Sequence, residues 1–165
     1  AHVAAFRKIE IFDIRPLKIK IPNVICHQID LMDNDLFLLS KLKKDYCDSI
    51  SCLHVIEHFG LGRYGDEIDT QGFEIGIKNM ATLLQPGGLF YLSTPIGIER
   101  VEFNANRVFD PRTLERVSKK NGLKIKKLTI FSSTQGLYEI EPNEENLSKL
   151  AAQNYNLGIF MFIKL

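Results

Sequence analysis

Two strand-like runs joined by one amphipathic helix constrain the fold of this chain more than any other feature. Residues 48–53 (DSISCL) and 88–93 (GLFYLS) are short apolar runs with strand character. Between them, apolar side chains recur at helical spacing over residues 69–84, and the turn Gln85-Pro86-Gly87-Gly88 ends that helix. Strand, helix and strand in this order predict a βαβ unit with parallel strands.

Further elements extend this pattern on both sides. Four more strand-like runs lie at residues 8–14, 23–29, 123–131 and 157–165. Asp110-Pro111 and Asn121-Gly122 begin and end a predicted helix, a second helix is predicted at residues 143–153, and residues 132–136 are predicted as a loop. We therefore expect an α/β fold with a mostly parallel sheet, helices on both faces, and ligands bound beyond the carboxyl ends of the strands.

Composition excludes several classes of partner. The 21 Lys and Arg against 20 Asp and Glu leave a net charge of +1, which predicts no nucleic-acid partner. The longest apolar runs, such as residues 158–163, are far shorter than the roughly 20 residues that cross a bilayer, and no signal peptide opens the chain. The three cysteines form no C-x-x-C pair and are poorly spaced as metal ligands. We expect one cytoplasmic domain over residues 1–165, without membrane or metal.

Acidic residues follow the first two predicted strands. Asp13 ends the first, where a carboxylate can accept two hydrogen bonds from a ribose diol, and Asp30 ends the second. A turn or cap role for Asp13 before Arg15-Pro16 is the open alternative. Asp33 and Asp35 are better placed to cap the helix that follows.

The segment from His54 to His58 matches H-x-x-E-H, with Glu57 as the acid. In zinc hydrolases that pattern places two histidines one helical turn apart, and the glutamate activates water. The chemistry needs a continuous helix, whereas Gly60 and Gly62 break any helix here. Zinc hydrolysis is therefore the weaker interpretation.

A glycine-rich segment follows directly. Residues 59–65 (FGLGRYG) hold three glycines in seven residues, so this backbone can approach another group closely and close over a site. Arg63 offers a planar fork for a carboxylate or phosphate, and Tyr64 offers an amphipathic wall. A structural turn in which Arg63 pairs with Asp66 is the alternative.

The longest motif carries a family resemblance. Residues 51–66 (SCLHVIEHFGLGRYGD), with FNANRVFDP at residues 103–111, resemble the DUF268 type of uncharacterised methyltransferase-like proteins, within the class I, Rossmann-like S-adenosylmethionine (SAM) methyltransferases. The resemblance covers nearly the whole chain. It implies that the predicted strands are the second to the seventh of that fold.

The resemblance also implies roles for residues. Asp13 would bind the ribose of SAM, Asp30 and Leu31 would hold adenine, and Cys52 and Leu53 would pass the methionine portion by backbone contact. His54, Glu57 and His58 would lie over the methyl group, where one of them can act as a general base. Tyr64 is the fourth catalytic candidate. The candidates for contact with the substrate are Arg63, Asn104 and Arg107, with Asn106 beside them.

The sequence departs from the family pattern before Asp13. Residues 1–7 contain no glycine, so we expect the first strand, its Gly-rich loop and the following helix to be missing. The second and fourth strands of that fold, here the predicted strands at residues 8–14 and 48–53, would then pair directly or leave open edges, which a homo-oligomer could cover. The resulting prediction is a SAM-dependent methyltransferase for a small or sugar-like polar acceptor. Inactivity of the truncated domain and a non-catalytic binding or scaffold module remain open alternatives.

Overall fold

The strands in the described residues form three sheets. The computed structural model describes residues 2–18, 20–39, 42–102 and 105–165. The strands are β1 (Ile9–Asp13), β2 (Val24–Gln28), β3 (Cys47–Leu53), β4 (Leu84–Ile96), β5 (Arg100–Glu102), β6 (Asn106–Val108), β7 (Leu123–Ser132), β8 (Gly136–Ile140) and β9 (Asn156–Lys164). The helices are α1 (Leu36–Leu39), α2 (Gly72–Leu83), α3 (Pro111–Lys120) and α4 (Glu144–Ala151).

The largest sheet has five strands in the order β3-β4-β9-β7-β8. Among the described strands of this sheet, only β3 and β4 pair in parallel, whereas β9 is antiparallel to both of its neighbours and β8 is antiparallel to β7. β8 reverses the direction of β7, and the crossover through α4 then gives β9 the direction of β8. The predicted α/β class is confirmed, but the sheet is mixed rather than mostly parallel.

Three helices pack on one face of this sheet. The buried core joins side chains of β4 and β9 to side chains from each of these helices, namely Phe90, Leu92, Phe160, Phe162, Ile77 of α2, Leu114 of α3 and Leu147 of α4. A fully buried Phe or Leu contributes about 1.5–3 kcal/mol relative to an exposed one. We expected helices on both faces, but α2, α3 and α4 share one. The opposite face carries half-buried apolar side chains, among them Leu89, Tyr91, Ile159 and Met161.

Most predicted elements are present, with shifted ends. Helix α3 begins after Asp110, whose side chain accepts a hydrogen bond from the Arg112 backbone N–H, as its N-cap pattern predicts. β4 begins at Leu84, four residues earlier than expected, and its pairing with β3 shifts register between Cys47 and Ser49. The sequence interpretation missed β8 and the β5–β6 hairpin.

β1 and β2 form a separate parallel pair beside the main sheet. In the part of the chain that the structure describes, β1 pairs only with β2 and β3 pairs only with β4. Direct pairing of β1 with β3, one of our two expectations, is therefore not observed. Side chains link them instead, through the Tyr46 hydroxyl, which donates to Glu10 at 2.6 Å, and an exposed Arg7–Asp48 ion pair at 3.9 Å.

Glu10 is the centre of that link. Its carboxylate accepts from Tyr46 and pairs with Lys8 at 2.6 Å, and its other oxygen lies 2.8 Å from His27 Nε2 on β2. Burial alone would raise the pKa of Glu10, but the hydrogen bonds from Lys8, Tyr46 and His27 outweigh it and lower that pKa to about 2.

No helix within the described ranges is long and apolar enough to cross a membrane.

Candidate active site

The carboxyl ends of β1 and β3 lie side by side. Tyr46, before β3, contacts Glu10 near the start of β1, while Arg15, after β1, contacts Tyr64 in the segment after β3. Contacts at both ends show that the two strands run in the same direction. The residues that follow β1 and β3 therefore meet at one edge, where ligands bind in α/β folds.

His54 and Glu57 form a pair at the end of β3. His54 has φ +55°, a left-handed conformation that is uncommon for residues other than glycine. Its Nδ1 lies 3.3 Å from Glu57 Oε1, and the other oxygen of Glu57 accepts from the Thr94 hydroxyl at 3.3 Å. The Glu57 side chain is 3% exposed, whereas that of His54 is 53% exposed. A buried carboxylate thus orients an open imidazole, whose Nε2 has no partner among the described residues.

Cys52 and Leu53 point to opposite faces of β3. Cys52 is buried, and this burial, with the nearby charge of Glu57, raises the pKa of its thiol to about 12, so the thiol stays protonated. The side chain of Leu53 is exposed. The Cys52 thiol therefore belongs to the core, while Leu53 presents an exposed side chain at the end of β3.

Residues 59–69, which we call the glycine segment, fold back on themselves. A Cβ at Gly60 would lie 1.9 Å from the Asp69 carbonyl oxygen, so only glycine fits there. Asp66 accepts backbone N–H bonds from Gly62 and Tyr64, at 3.1 and 3.0 Å. The alternative of a structural turn is thus present, but without the Arg63–Asp66 ion pair: Asp66 accepts backbone N–H bonds, and Arg63 donates to the Ala105 carbonyl instead.

The β5–β6 hairpin anchors the glycine segment. The backbone carbonyl of Ala105 accepts hydrogen bonds from His58 Nδ1 at 3.0 Å and from Arg63 at 2.7 Å. This contact fixes the proton of neutral His58 on Nδ1. Arg63 remains exposed, and its other donors have no protein partner in the described ranges.

Arg107 is a buried cation on the same hairpin. It is 8% exposed, donates to the carbonyl oxygens of Phe59 and Asp69, and lies 5.5 Å from the ring centre of Phe73. Burial lowers the pKa of its guanidinium, although nearby acids oppose this. Its observed contacts hold the glycine segment in place. Asn106 donates to the Arg107 carbonyl, and Asn104 lies outside the described residues.

Tyr64 joins the two sides of the site. Its ring lies 5.0 Å from the Arg15 guanidinium carbon and 5.7 Å from that of Arg63, within cation–π range. The His58 ring meets it edge-on at 5.5 Å. Tyr64 is 40% exposed, so part of its ring still faces solvent.

The acids after β1 and β2 differ in availability. Asp13 is held by Arg15, whose side-chain hydrogen bonds are the main reason that the pKa of Asp13 is lowered. Asp30 accepts only the Met32 backbone N–H, at 2.8 Å, which leaves one oxygen without a partner in the described ranges. Leu31 packs against the core, and its carbonyl accepts from Asn79.

The H-x-x-E-H segment does not have the geometry of a zinc hydrolase. Ile56–His58 is one short 3-10 helix, and His54 precedes it in a left-handed conformation. His54 faces Glu57, whereas His58 faces the β5–β6 hairpin. No group of three or more His, Cys, Asp or Glu side chains in the described residues is arranged to hold a metal.

Sequence reasoning placed His54, Glu57, His58, Arg63 and Tyr64 at one edge. In the structure His54 contacts Glu57, while His58 and Arg63 contact Tyr64. The sequence reasoning had no role for two residues that also contact these groups. It missed Thr94 and Arg15. Thr94 follows the predicted strand at residues 88–93, so its place at the ligand edge was a usable signal. The sequence contains no such signal for Arg15, because its contact with Tyr64 depends on how two separate strands lie together.

The fold is that of the class I, Rossmann-like methyltransferases. It is similar to N-methyltransferase NodS from Bradyrhizobium japonicum, solved with S-adenosylhomocysteine, at TM-score 0.57 and 12% identity over 94% of this chain and 65% of that one. A second similar structure is a protein from Listeria monocytogenes with a provisional assignment as a SAM-dependent methyltransferase. Its TM-score is 0.57 and its identity 12%, and the match covers 96% of this chain and 81% of that one. A third is the [4+2]-cyclase SpnF, with TM-score 0.57 and 12% identity, where the match covers 86% of this chain and 57% of that one.

This chain belongs to the family described as Caenorhabditis protein of unknown function, DUF268, whose model matches residues 8–142. The chain spans less than two thirds of the length of NodS and of SpnF. No curated protein gives a significant match.

Proposed function

We propose that this protein is a SAM-dependent methyltransferase that acts on a small or sugar-like polar acceptor in the cytoplasm. The observation that carries the proposal is the His54–Glu57 pair, in which a buried carboxylate orients an exposed imidazole at the ligand edge of this fold. The three cysteines are free, which fits a reducing compartment.

The acids at the strand ends fit the polar groups of the cofactor. Asp13 would accept from the ribose hydroxyls, and the free oxygen of Asp30 would accept from the adenine amine, beside Leu31. The backbone of Cys52 and Leu53 would contact the methionine portion. SAM would supply an activated methyl group, so the protein has mainly to position the acceptor and remove its proton.

We assign the general base to His54. Its Nε2 would take the proton of an acceptor hydroxyl or amine while Nδ1 keeps its contact with Glu57. Glu57 would favour the resulting imidazolium, and Thr94 would hold Glu57 in place. General-base catalysis of this kind contributes about 10²- to 10⁴-fold.

The acceptor would bind on the glycine segment. Arg63 has free donors for a carboxylate or phosphate, and Tyr64 provides a partly exposed ring. His58 would support this wall through Tyr64. We assign Arg107 to positioning rather than direct substrate contact, because its observed donors face backbone carbonyls.

Two measurements test the proposal. Calorimetry with S-adenosylhomocysteine is expected to detect binding, and radiolabelled SAM is expected to transfer its methyl group to a member of a panel of sugars and hydroxy acids. H54Q should lower that transfer about 100-fold or more, with little change in S-adenosylhomocysteine affinity, because His54 acts on the acceptor proton. H2Q, at a histidine outside the site, is the matched control.

A non-catalytic binding or scaffold module is the second candidate. The observation that favours it is the closed Asp13–Arg15 pair, which occupies the carboxylate that the cofactor would need. Failure of S-adenosylhomocysteine to bind at millimolar concentration would support this candidate and reject the methyltransferase.

We also propose that the protein forms a homo-oligomer. Among the described strands, the unpaired edges of β1 and β3 support this proposal, and so do the half-buried apolar side chains on the second face of the main sheet, such as Tyr91 and Met161. Exposed strand edges and apolar sheet faces are commonly covered by another chain.

A further inference from the structure

Arg15 donates hydrogen bonds to both carboxylate oxygens of Asp13. Its Nε and Nη2 donate to the two carboxylate oxygens of Asp13, at 3.0 and 2.9 Å. Its backbone N–H adds a third bond at 2.9 Å. These bonds occupy both oxygens that a ribose diol would use.

The chain contains a second pair of the same kind, which explains what such a pair does structurally. Arg112 donates to Asp110 from its backbone N–H at 2.8 Å and from Nη2 at 2.6 Å, with Nε also in contact. There the aspartate is the N-cap of α3. No described residue between β1 and β2 is helical, so capping does not account for the pair at Asp13.

Arg15 also contacts an aromatic ring, whereas the further contact of Arg112 is with the Ser148 hydroxyl at 3.5 Å. Its guanidinium carbon lies 5.0 Å from the ring centre of Tyr64, which also contacts His58 and Arg63. The Arg15 side chain is 56% exposed. It can therefore leave Asp13 without opening the core, and the ring of Tyr64 can keep it near the site.

We propose that Arg15 competes with the ribose of the nucleoside cofactor for Asp13 and that Tyr64 retains the guanidinium once it is displaced. This inference rests on the proposed function, because it needs a cofactor that binds Asp13. Only those molecules in which Arg15 has left Asp13 bind the cofactor directly. The Asp13–Arg15 pair therefore raises the apparent dissociation constant of the cofactor. Arg15 thus sets how much cofactor is needed to fill the site.

Calorimetry with S-adenosylhomocysteine on a set of variants tests this competition. R15A should bind about two- to fivefold more tightly than the wild type, which is the scale of one exposed ion pair. R15K should fall between them, because an ammonium cannot form the two-pronged contact. R112A removes the equivalent pair at α3 and should match the wild type.

Two further readouts separate competition from a structural role. The difference between wild type and R15A should shrink as salt is raised, because salt screens the exposed pair. Y64A should bind more weakly than the wild type, and Y64F should keep wild-type affinity, because only the ring retains Arg15.

The outcomes distinguish the two proposals. If the wild type binds but R15A binds equally or more weakly, the competition by Arg15 is rejected and the proposed function stands. If neither the wild type nor R15A binds, the cofactor assignment is rejected, and the inference fails with it. Tighter binding by R15A alone, with R112A unchanged, supports the inference.

Discussion

Gly60 lies where a side chain has no room. Its φ is +70°, and the Asp69 carbonyl oxygen would be 1.9 Å from an added Cβ. The Asp69 backbone N–H also donates to the Gly60 carbonyl at 3.0 Å, so the two chain segments are held in contact. Gly65 also has a positive φ, +91°, but open space surrounds it. A substitution at Gly65 therefore tests backbone strain alone, whereas one at Gly60 adds steric overlap.

We expect G60A to destabilise the protein more than G65A. G65A should cost about 1 kcal/mol, the usual penalty for alanine in the left-handed region. G60A adds a clash with backbone that cannot turn aside, so its loss of unfolding free energy should exceed that of G65A by at least about 1 kcal/mol. Urea unfolding measures both. Equal losses would mean that the close approach of Gly60 and Asp69 is not maintained in solution.

Sequence reasoning placed His54 and Glu57 at the end of the same strand, but it did not predict their contact, which depends on the left-handed backbone of His54 before the short Ile56–His58 helix. It could not place Thr94 against Glu57 or Arg15 against Tyr64. Those contacts join residues 37 and 49 positions apart, and they form only after β3, β4 and β1 have been laid side by side.

The β1–β2 pair is attached to the main sheet by few contacts, and Glu10 is at the centre of them. Glu10 has a pKa of about 2 in the folded protein, against 4.5 as its ordinary value. The unfolded chain therefore binds a proton at higher pH than the folded chain does. The stabilisation by Glu10 is complete above pH 4.5 and is lost as the pH falls toward 2.

E10Q should remove this dependence. We expect the variant to be less stable than the wild type at neutral pH and to show a shallower loss of stability as the pH falls through that window. Chemical unfolding at a series of pH values measures it. E67Q, which removes an exposed carboxylate, should keep the wild-type slope. A wild-type slope in E10Q would mean that the contacts from Lys8, Tyr46 and His27 do not form in solution.

Local signals decided which elements could be predicted. α3 was readable because Asp110, Pro111 and Gly122 mark its two ends with residues whose backbone chemistry is specific. β8 was not, because its five residues (GLYEI) are stabilised chiefly by pairing with β7. The direction of β9 was also hidden, since hydrophobic alternation is the same in parallel and antiparallel strands.

At the scale of the whole molecule, the main sheet is covered unevenly. Helices α2, α3 and α4 cover one face, while Met161 and Tyr91 lie opposite each other on the half-buried other face. We expect light scattering of the purified protein to report a dimer, the commonest oligomer, with this face at the interface.

M161K should convert that dimer to a folded monomer, because dimerisation would bury the unpaired charge of the lysine in an apolar interface. I68K, which replaces an apolar side chain that is already 84% exposed, should leave the dimer intact. A wild-type protein that is monomeric, or an M161K variant that stays dimeric, would show that this face is not an interface between copies.

One atom of the β5–β6 hairpin has a wider consequence for how the site can be changed by mutation. His58 and Arg63 both rely on the main-chain carbonyl of Ala105, an atom that every amino acid possesses. A genetic screen would therefore record sensitivity at positions 58 and 63 and tolerance at position 105, except toward proline, which lacks the N–H that Ala105 donates to Glu102. The hairpin contributes to the site through the path of its backbone, and substitutions at position 105 alone would not reveal it.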